Sequence, residues 1–369
     1  MQWSQEQENI FSLFDTESTN ILVNASPGSG KTTVLCELWA RSKSDNILDL
    51  AFNKNIVQEL QSRLPNKGSY SKIATYNSFG HAICMKAWPR VKFDVHKIYK
   101  HIDATVGDKL VDRYGCADQE KRNTLKQLVQ YLKNDAVYST ACSGITDVID
   151  FYDIDYYPDM EIHAEIVLRS SNNDITCIDF SDQLLFPILY DLTFPQYEEC
   201  MVDEVQDTNS IQKDLLLGLQ RANPNIRYCL VGDSHQAIYA FRGALSDSMQ
   251  ELGKVFSCKN MSLTVTRRCA KEIVKEAQYI YPHDINYHED AIEGLVRCTE
   301  AVIDTKPKPV ERIYDHVLDW DTFREGDMLL CRTTAPLVKF AYMLLRNNIP
   351  CQVRGRDIEQ GLTKYLETS

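Results

Sequence analysis

One short run restricts this chain more than any other feature: Ala25, Ser26, Pro27, Gly28, Ser29, Gly30, Lys31 and Thr32, placed directly after the apolar stretch Ile21–Val23. A buried strand, a glycine-rich turn and a helix starting at Lys31 make a cradle for nucleotide phosphates. Backbone N–H groups around Gly28 and Gly30 are free to point at phosphate oxygens because no Cβ stands in the way. Lys31 would reach the β and γ oxygens of ATP, and Thr32 would hold Mg2+. The run departs from G-x-x-x-x-G-K-[ST] at one place, where Ala25 replaces the first glycine.

Elements on either side agree with this reading. Trp3, Ile10, Phe11 and Phe14 are spaced for a short amphipathic helix, with Ser4 as N-cap and Gln7 completing a capping box. Helix Lys31–Arg41, strand Ile47–Phe52 and helix Ile56–Leu64 follow. The order strand, loop, helix, strand, helix marks a parallel α/β sheet whose ligands sit at strand C-terminal ends. From about Cys84 to Thr176 the pattern turns helical, with Leu125, Leu128, Val129 and Leu132 at packing distance along one face. Asp147 to Glu161 mixes acidic residues with Phe151, Tyr152, Tyr156 and Tyr157, which suits a solvated acidic surface or a partner site. The α/β pattern resumes with strands at Glu199–Val202 and Arg227–Val231, and Met261–Val265 opens a third region. Further strands are expected at Asp327–Cys331 and Pro350–Val353, flanking the helical Leu337–Leu345.

The strand Cys200–Val202 empties into Asp203 and Glu204. Asp203 is suited to the Mg2+ shell, and Glu204 to accepting a proton from an attacking water. Lys31 and Asp203 are 172 positions apart, more than the intervening α/β units require, and a helical insertion accounts for the excess. After the next strand, Gln236 is placed to sense the γ-phosphate. Tyr239, Phe241 and Arg242 then bring two aromatics and a cation onto one loop, as single-stranded DNA binding uses them, or as a packed aromatic pair.

The 369 residues allow two or three domains. No apolar run is long enough to span a bilayer, which argues against a membrane partner. Twelve cysteines, scattered without C-x-x-C pairs, suit reduced thiols in an intracellular protein, cytoplasmic or nuclear. The net charge of -12 argues against a generic nucleic-acid coat, though not against one local basic groove.

Taken in order, these motifs resemble the superfamily I DNA helicases of the UvrD, PcrA and Rep type, and the related F-box DNA helicases. Gln7 is similar to the adenine-reading Q motif, Ala25–Thr32 to motif I, and Ala51–Lys54 to motif Ia. Thr75–Gly80 resembles motif Ib, Val202–Thr208 motif II and Val231–Ala244 motif III. Leu263–Arg268 resembles motif IV, in which the final arginine, here Arg268, contacts the γ-phosphate. Met328–Thr334 and Asn348–Gly355 resemble the segment that follows in the second motor domain.

The resemblance implies a RecA-like P-loop NTPase domain over residues 1–83 and 177–255, a helical inserted subdomain over 84–176, and a partial second RecA-like domain over 256–369. It also implies ATP-driven 3′→5′ translocation on single-stranded DNA, with Phe52, Asn53, Thr75, Tyr239 and Phe241 touching the strand. Three positions depart from the family pattern. Thr33 stands where an arginine near the adenine is common, and Asn77 where a histidine is common. Arg267 replaces a base-stacking tyrosine, and its guanidinium plane is suited to the same role. Nothing after Gly355 resembles motif V or the motif VI arginine finger, worth about 10³–10⁵ in rate or about 4–7 kcal/mol of barrier. Feeble hydrolysis by this chain alone is therefore expected, as in the N-terminal portion of a helicase or one half of a split one completed by a second polypeptide. A non-catalytic module binding ATP and single-stranded DNA is the alternative, separated by measuring turnover. A small-molecule kinase is the third reading, disfavoured by Asp203, Glu204 and Gln236.

Overall fold

The computed structural model describes residues 3–64, 70–111, 114–137, 142–236, 248–280, 282–296, 323–331 and 334–353. Residues 1–295 form one compact unit and 296–369 a second. At the centre of the first lies a six-stranded, wholly parallel sheet. Its strands are β1 (Ile21–Ala25), β2 (Ile47–Ala51), β3 (Lys72–Thr75), β6 (Glu199–Val202), β7 (Arg227–Gly232) and β8 (Lys259–Leu263). They stand in the order β3-β2-β6-β7-β1-β8. All six therefore end on one edge, and every loop leaving a strand tip is brought to that edge.

The period-2 alternation of each strand divides its side chains between two apolar layers. Ile21, Val23, Ile47, Met201, Cys229 and Val231 face one way, beneath α1 (Gln5–Thr16) and α2 (Lys31–Arg41). Leu22, Leu48, Leu50, Val202, Tyr228 and Leu230 face the other. There they meet α4 (Tyr76–Ala87), α9 (Asp182–Leu189), α10 (Ser210–Ala222) and α11 (Ser248–Val255). With both faces covered, the four inner strands β2, β6, β7 and β1 are almost wholly buried, while the edge strands β3 and β8 are more polar and more exposed. The α1 capping box forms as its sequence predicts, Ser4 Oγ accepting from the Gln7 N–H while Gln7 Oε1 accepts from the Ser4 N–H at 3.0 Å. Helix α2 spans Lys31–Arg41 as expected, and α3 (Lys54–Arg63) begins two residues earlier than its apolar pattern suggested because Asn53 caps it.

Between β3 and β6 the chain forms α5 (Lys97–Thr105), α6 (Gln119–Asn134), α7 (Cys142–Phe151) and α8 (Met160–Asn173), which bury a separate apolar core including Ile98, Leu125, Leu128, Val129 and Leu168. A short parallel pair, β4 (Lys92–Phe93) with β5 (Cys177–Ile178), closes the start of this stretch onto its end, where only helix was expected. Helix α6 is tied to α5 and α9 through Asp182, which accepts from Lys97 Nζ at 2.7 Å and from Lys133 Nζ at 2.6 Å.

Two expectations are overturned. A domain boundary at 256 separates β8 from the sheet it belongs to: Ile21–Ala25 pairs in parallel register with Lys259–Leu263. A strand joins the sheet that offers it an open ladder, and β1 offers one on its outer side. The second correction concerns Asp327–Cys331 and Pro350–Val353, which are not strands. Met328 and Leu330 are 74% and 86% exposed, so among the described residues their apolar alternation has no sheet to face. The helix between them is observed, at Thr334–Arg346.

Candidate nucleotide site

The phosphate loop occupies the turn from β1 to α2. Gly28 and Gly30 have φ of +74° and +99°, the left-handed region that glycine reaches without steric cost. A Cβ on Gly28 would lie 2.5 Å from Arg268 Cβ and 2.7 Å from Thr266 Oγ1, so the loop is pressed against the segment after β8. The Arg267 N–H donates to Gly28 O at 3.0 Å, completing that contact. A Cβ on Gly30 would lie 3.2 Å from Gln7 Nε2, which puts Gln7 at the mouth of the loop. The Gln7 amide orientation is set by its capping bond, since its oxygen must accept from Ser4 and its nitrogen is left facing Gly30. Ala25 sits inside β1 with an extended partner, Leu263, so the position tolerates a Cβ. Ser26 is buried, its N–H bonded to Leu263 O at 2.8 Å, and Ser29 is buried with its hydroxyl unpartnered. Pro27 lines a cavity of about 560 Å3 together with Gln236, Val274 and Ile285.

Lys31 opens α2, and its Nζ donates to Glu204 Oε2 at 2.8 Å across 173 positions of sequence. The strand order explains the meeting. β6 stands two places from β1 with β7 between them, and all three tips point the same way. Glu204 adopts φ +52°, an uncommon conformation for a residue with a side chain, which turns its carboxylate toward the loop. Asp203 is buried, its Oδ1 accepting from the Glu204 N–H at 2.9 Å. Burial, then the Glu204 charge, pushes the Asp203 carboxyl up to about 7, against the pull of that hydrogen bond and of Lys31.

Gln206 was not singled out from the sequence, and it joins two strand tips. Its Nε2 donates to Glu204 Oε2 at 2.7 Å and its Oε1 accepts from the Asp233 N–H at 2.9 Å. Asn24 makes a second such link, its Oδ1 accepting from the Ser234 N–H at 3.1 Å. Gln236 lies on the short 3-10 turn Ser234–Gln236, so its side chain starts from the same edge. Asp49, in the middle of β2, is fully buried with neither carboxylate oxygen hydrogen-bonded. Burial, then the Asp203 charge, holds its carboxyl well above the usual range.

Thr32 and Thr33 follow Lys31 on the first turn of α2, and Arg63 Nη2 donates to Thr33 Oγ1 at 3.4 Å. Arg267 and Arg268 are both exposed beside the loop. Phe52 and Asn53 follow β2, and Thr75 ends β3, all on the same edge of the sheet. Asn53 and Thr75 are also N-caps, accepting from the N–H groups of Ile56 and Ser78. Asn77 donates to Phe180 O at 2.7 Å and to Gln183 Oε1 at 3.1 Å, joining α4 to the start of α9. Tyr239, Phe241 and Arg242 lie outside the described residues.

The donor set fits a hard divalent cation with a polyphosphate. Left-handed glycines shape the loop, in which the buried Ser29 hydroxyl has no partner, a lysine stands at its rim, and hard carboxylate oxygens lie beside it on Glu204, paired with that lysine, and on buried Asp203. Among the described residues no helix is long and apolar enough to cross a membrane.

The family described as UvrD/REP helicase N-terminal domain matches residues 3–257. The chain is 27% identical over 293 residues to the ATP-dependent DNA helicase Rep of Buchnera aphidicola subsp. Schizaphis graminum, covering 72% of this chain and 42% of that protein. It is 23% identical over 375 residues to the ATP-dependent DNA helicase PcrA of Staphylococcus epidermidis, covering 91% and 49%. Against the ATP-dependent DNA helicase SRS2 of Saccharomyces cerevisiae it is 26% identical over 294 residues, covering 67% and 24%. The chain thus spans less than half the length of each of these relatives.

Proposed function

Because the chain belongs to the UvrD/REP helicase N-terminal domain family, we propose that it grips ATP for a DNA helicase that moves 3′→5′ along single-stranded DNA. The observation that carries this reading is the 2.8 Å contact between Lys31 and Glu204 at the rim of a glycine cradle. Lys31 exchanges Glu204 for the β and γ oxygens when a triphosphate enters. Thr32 and Asp203 are the residues that would hold Mg2+, which supplies charge neutralisation to the phosphates when bound. Glu204, released from Lys31, takes the proton of the attacking water. Gln206 ties Glu204 to the Asp233 turn, three residues before Gln236, so occupancy at the γ position is felt along that turn. Gln7 donates to a purine ring nitrogen from its fixed Nε2, Arg267 covers the base and Arg268 adds charge near the γ-phosphate.

Single-stranded DNA crosses the sheet edge over Phe52, Asn53 and Thr75, with Tyr239, Phe241 and Arg242 adding stacking and phosphate contacts. The first motor domain takes residues 1–83 and 177 to the end of β8, and the helices of 84–176 form its inserted subdomain. Residues beyond β8 begin the second motor domain.

Binding of a fluorescent ATP analogue with Mg2+ to the full chain tests the reading. Lys31→Ala should weaken it at least about tenfold, the loss of one charge-assisted contact of roughly 1.5–3 kcal/mol. Unchanged affinity in that variant would overturn the assignment. Hydrolysis measured with and without single-stranded DNA then separates a slow motor from a module that only binds.

A further inference from the structure

Asp49 has no part in the mechanism above, and its surroundings are unusual. It lies in the interior of β2, fully buried, and both carboxylate oxygens lack a hydrogen-bond partner. Buried polar groups without partners are rare in folded proteins, and each calls for a ligand, a water or a function. The register states which way it faces. Asp49 is paired with Met201, and Asp203 lies two residues beyond Met201, just past the end of β6. The Asp203 N–H still donates to Leu50 O at 3.2 Å, so the ladder continues that far and both aspartates share one face of the sheet. That face is the one under α2, whose first residues are Lys31 and Thr32. One strand across and two residues along puts the two Cα atoms on the order of 8 Å apart. Two aspartate side chains and a single water span such a gap.

We propose that Asp49 is an outer positioning carboxyl of the divalent-cation site, holding a water that connects it to Asp203 and to the hydration shell of the cation. This rests on the nucleotide reading above. A magnesium-like cation keeps several of its waters, and those waters need acceptors. Asp203 has one oxygen committed to the Glu204 N–H, so a neighbouring carboxyl supplies the acceptor that this strand tip lacks. Partners of this outer kind typically change metal affinity by about 10–100-fold.

The test uses the full chain with Mn2+ as probe and a slowly hydrolysed ATP analogue, free Mn2+ being counted by electron paramagnetic resonance. Asp49→Leu should bind Mn2+ about 10–100-fold more weakly, while its affinity for the analogue in the presence of a chelator stays at the wild-type value. Asp49→Asn, which keeps shape and one acceptor, should fall between. A folded Asp49→Leu protein with wild-type Mn2+ affinity overturns the proposal. Should Asp49→Leu fail to fold, Asp49→Asn decides through deuterium couplings of the bound Mn2+ in D2O. A change in those couplings supports the bridging water, and identical couplings overturn it. If the wild-type chain itself binds no Mn2+ with the analogue, the nucleotide reading fails before any variant is made.

Discussion

Two clusters of lysine and aspartate or glutamate lie in the same compact unit and are built on opposite terms. In one, Lys97 and Lys133 both close on Asp182, with all three side chains at 0% exposure. Lys97 Nζ also donates to Asp174 O at 2.8 Å, and Lys133 Nζ to Ser171 Oγ at 2.8 Å. The Asp179 N–H donates to Asp182 at 3.2 Å, and Lys97 sits 4.6 Å over the Phe186 ring. Burial works against the charge on Lys133, yet the attraction of Asp182 and Asp179 outweighs it and raises its pKa. In the other cluster, Lys31 and Glu204 are 11% and 28% exposed, and nearby Asp49, Asp233 and Ser29 each keep a buried oxygen without a partner. A cluster whose donors and acceptors are matched internally holds helices together. One with unmatched oxygens is set up to receive something from outside. Chemistry is shared, and satisfaction separates them.

Asp182→Ala tests the difference between the two clusters most severely. It leaves Lys97 buried without its ion-pair partner and Lys133 with only Asp179, at 3.8 Å, and urea unfolding should show a loss of about 3–5 kcal/mol. Replacing all three charged residues by apolar ones of similar volume should recover most of it. A loss below about 1 kcal/mol would mean that water reaches the cluster and that the contrast in burial is false. Gly28→Ala comes next. Its left-handed φ and the 2.5 Å approach to Arg268 Cβ should cost about 1–3 kcal/mol and weaken nucleotide binding with it. Ordinary stability and affinity in that variant would show that the loop has another accessible shape.

Lys31→Met sharpens the contrast from the other side. The half-open pair with Glu204 should contribute less than about 1 kcal/mol to folding, even though the same change should weaken nucleotide binding at least about tenfold. A stability loss as large as that of Asp182→Ala would make both clusters structural. The smallest effect concerns Asp135 at the end of α6, whose carboxyl burial pushes up to about 6, partly offset by the hydrogen bond from Tyr152. Below about pH 4 it is protonated both folded and unfolded. Between there and pH 6 only the unfolded chain ionises, so stability falls as pH rises through that window. Asp135→Asn should flatten this part of the pH profile relative to wild type, and superimposable profiles would show that the carboxyl is solvated.

How far these clusters were legible beforehand follows from how local each is. The phosphate loop is one continuous run between a strand and a helix, so its glycines, Lys31 and Thr32 stand out in order. Asp203 and Glu204 were legible because an apolar strand ends in them, and the role proposed for them follows from the loop upstream. Gln206 sat in view as part of that acidic run, yet its bonds to Glu204 and to the Asp233 N–H exist only because β6 and β7 are neighbours. Lys97, Lys133 and Asp182 come from three different helices spread over 85 positions, and nothing in their local sequence distinguishes them from solvated charges. The strand after Phe256 was seen at nearly the right place and given to the wrong sheet, since ladder partners leave no mark on either strand alone.

What the chain's own order of residues determined was the inventory: the glycine turn with its lysine, the acidic strand end, the helical stretch between them, and hence the family. Those features depend on contacts within a few residues, which periodicity and backbone freedom dictate. Tertiary structure alone decided which carboxylates are matched and which are left open, because pairing depends on strand order and register across more than a hundred residues. Asp49 illustrates the division: in the sequence it is one acid in an apolar strand, and only the neighbouring strand turns it into a buried, unpartnered group on the face it shares with Asp203.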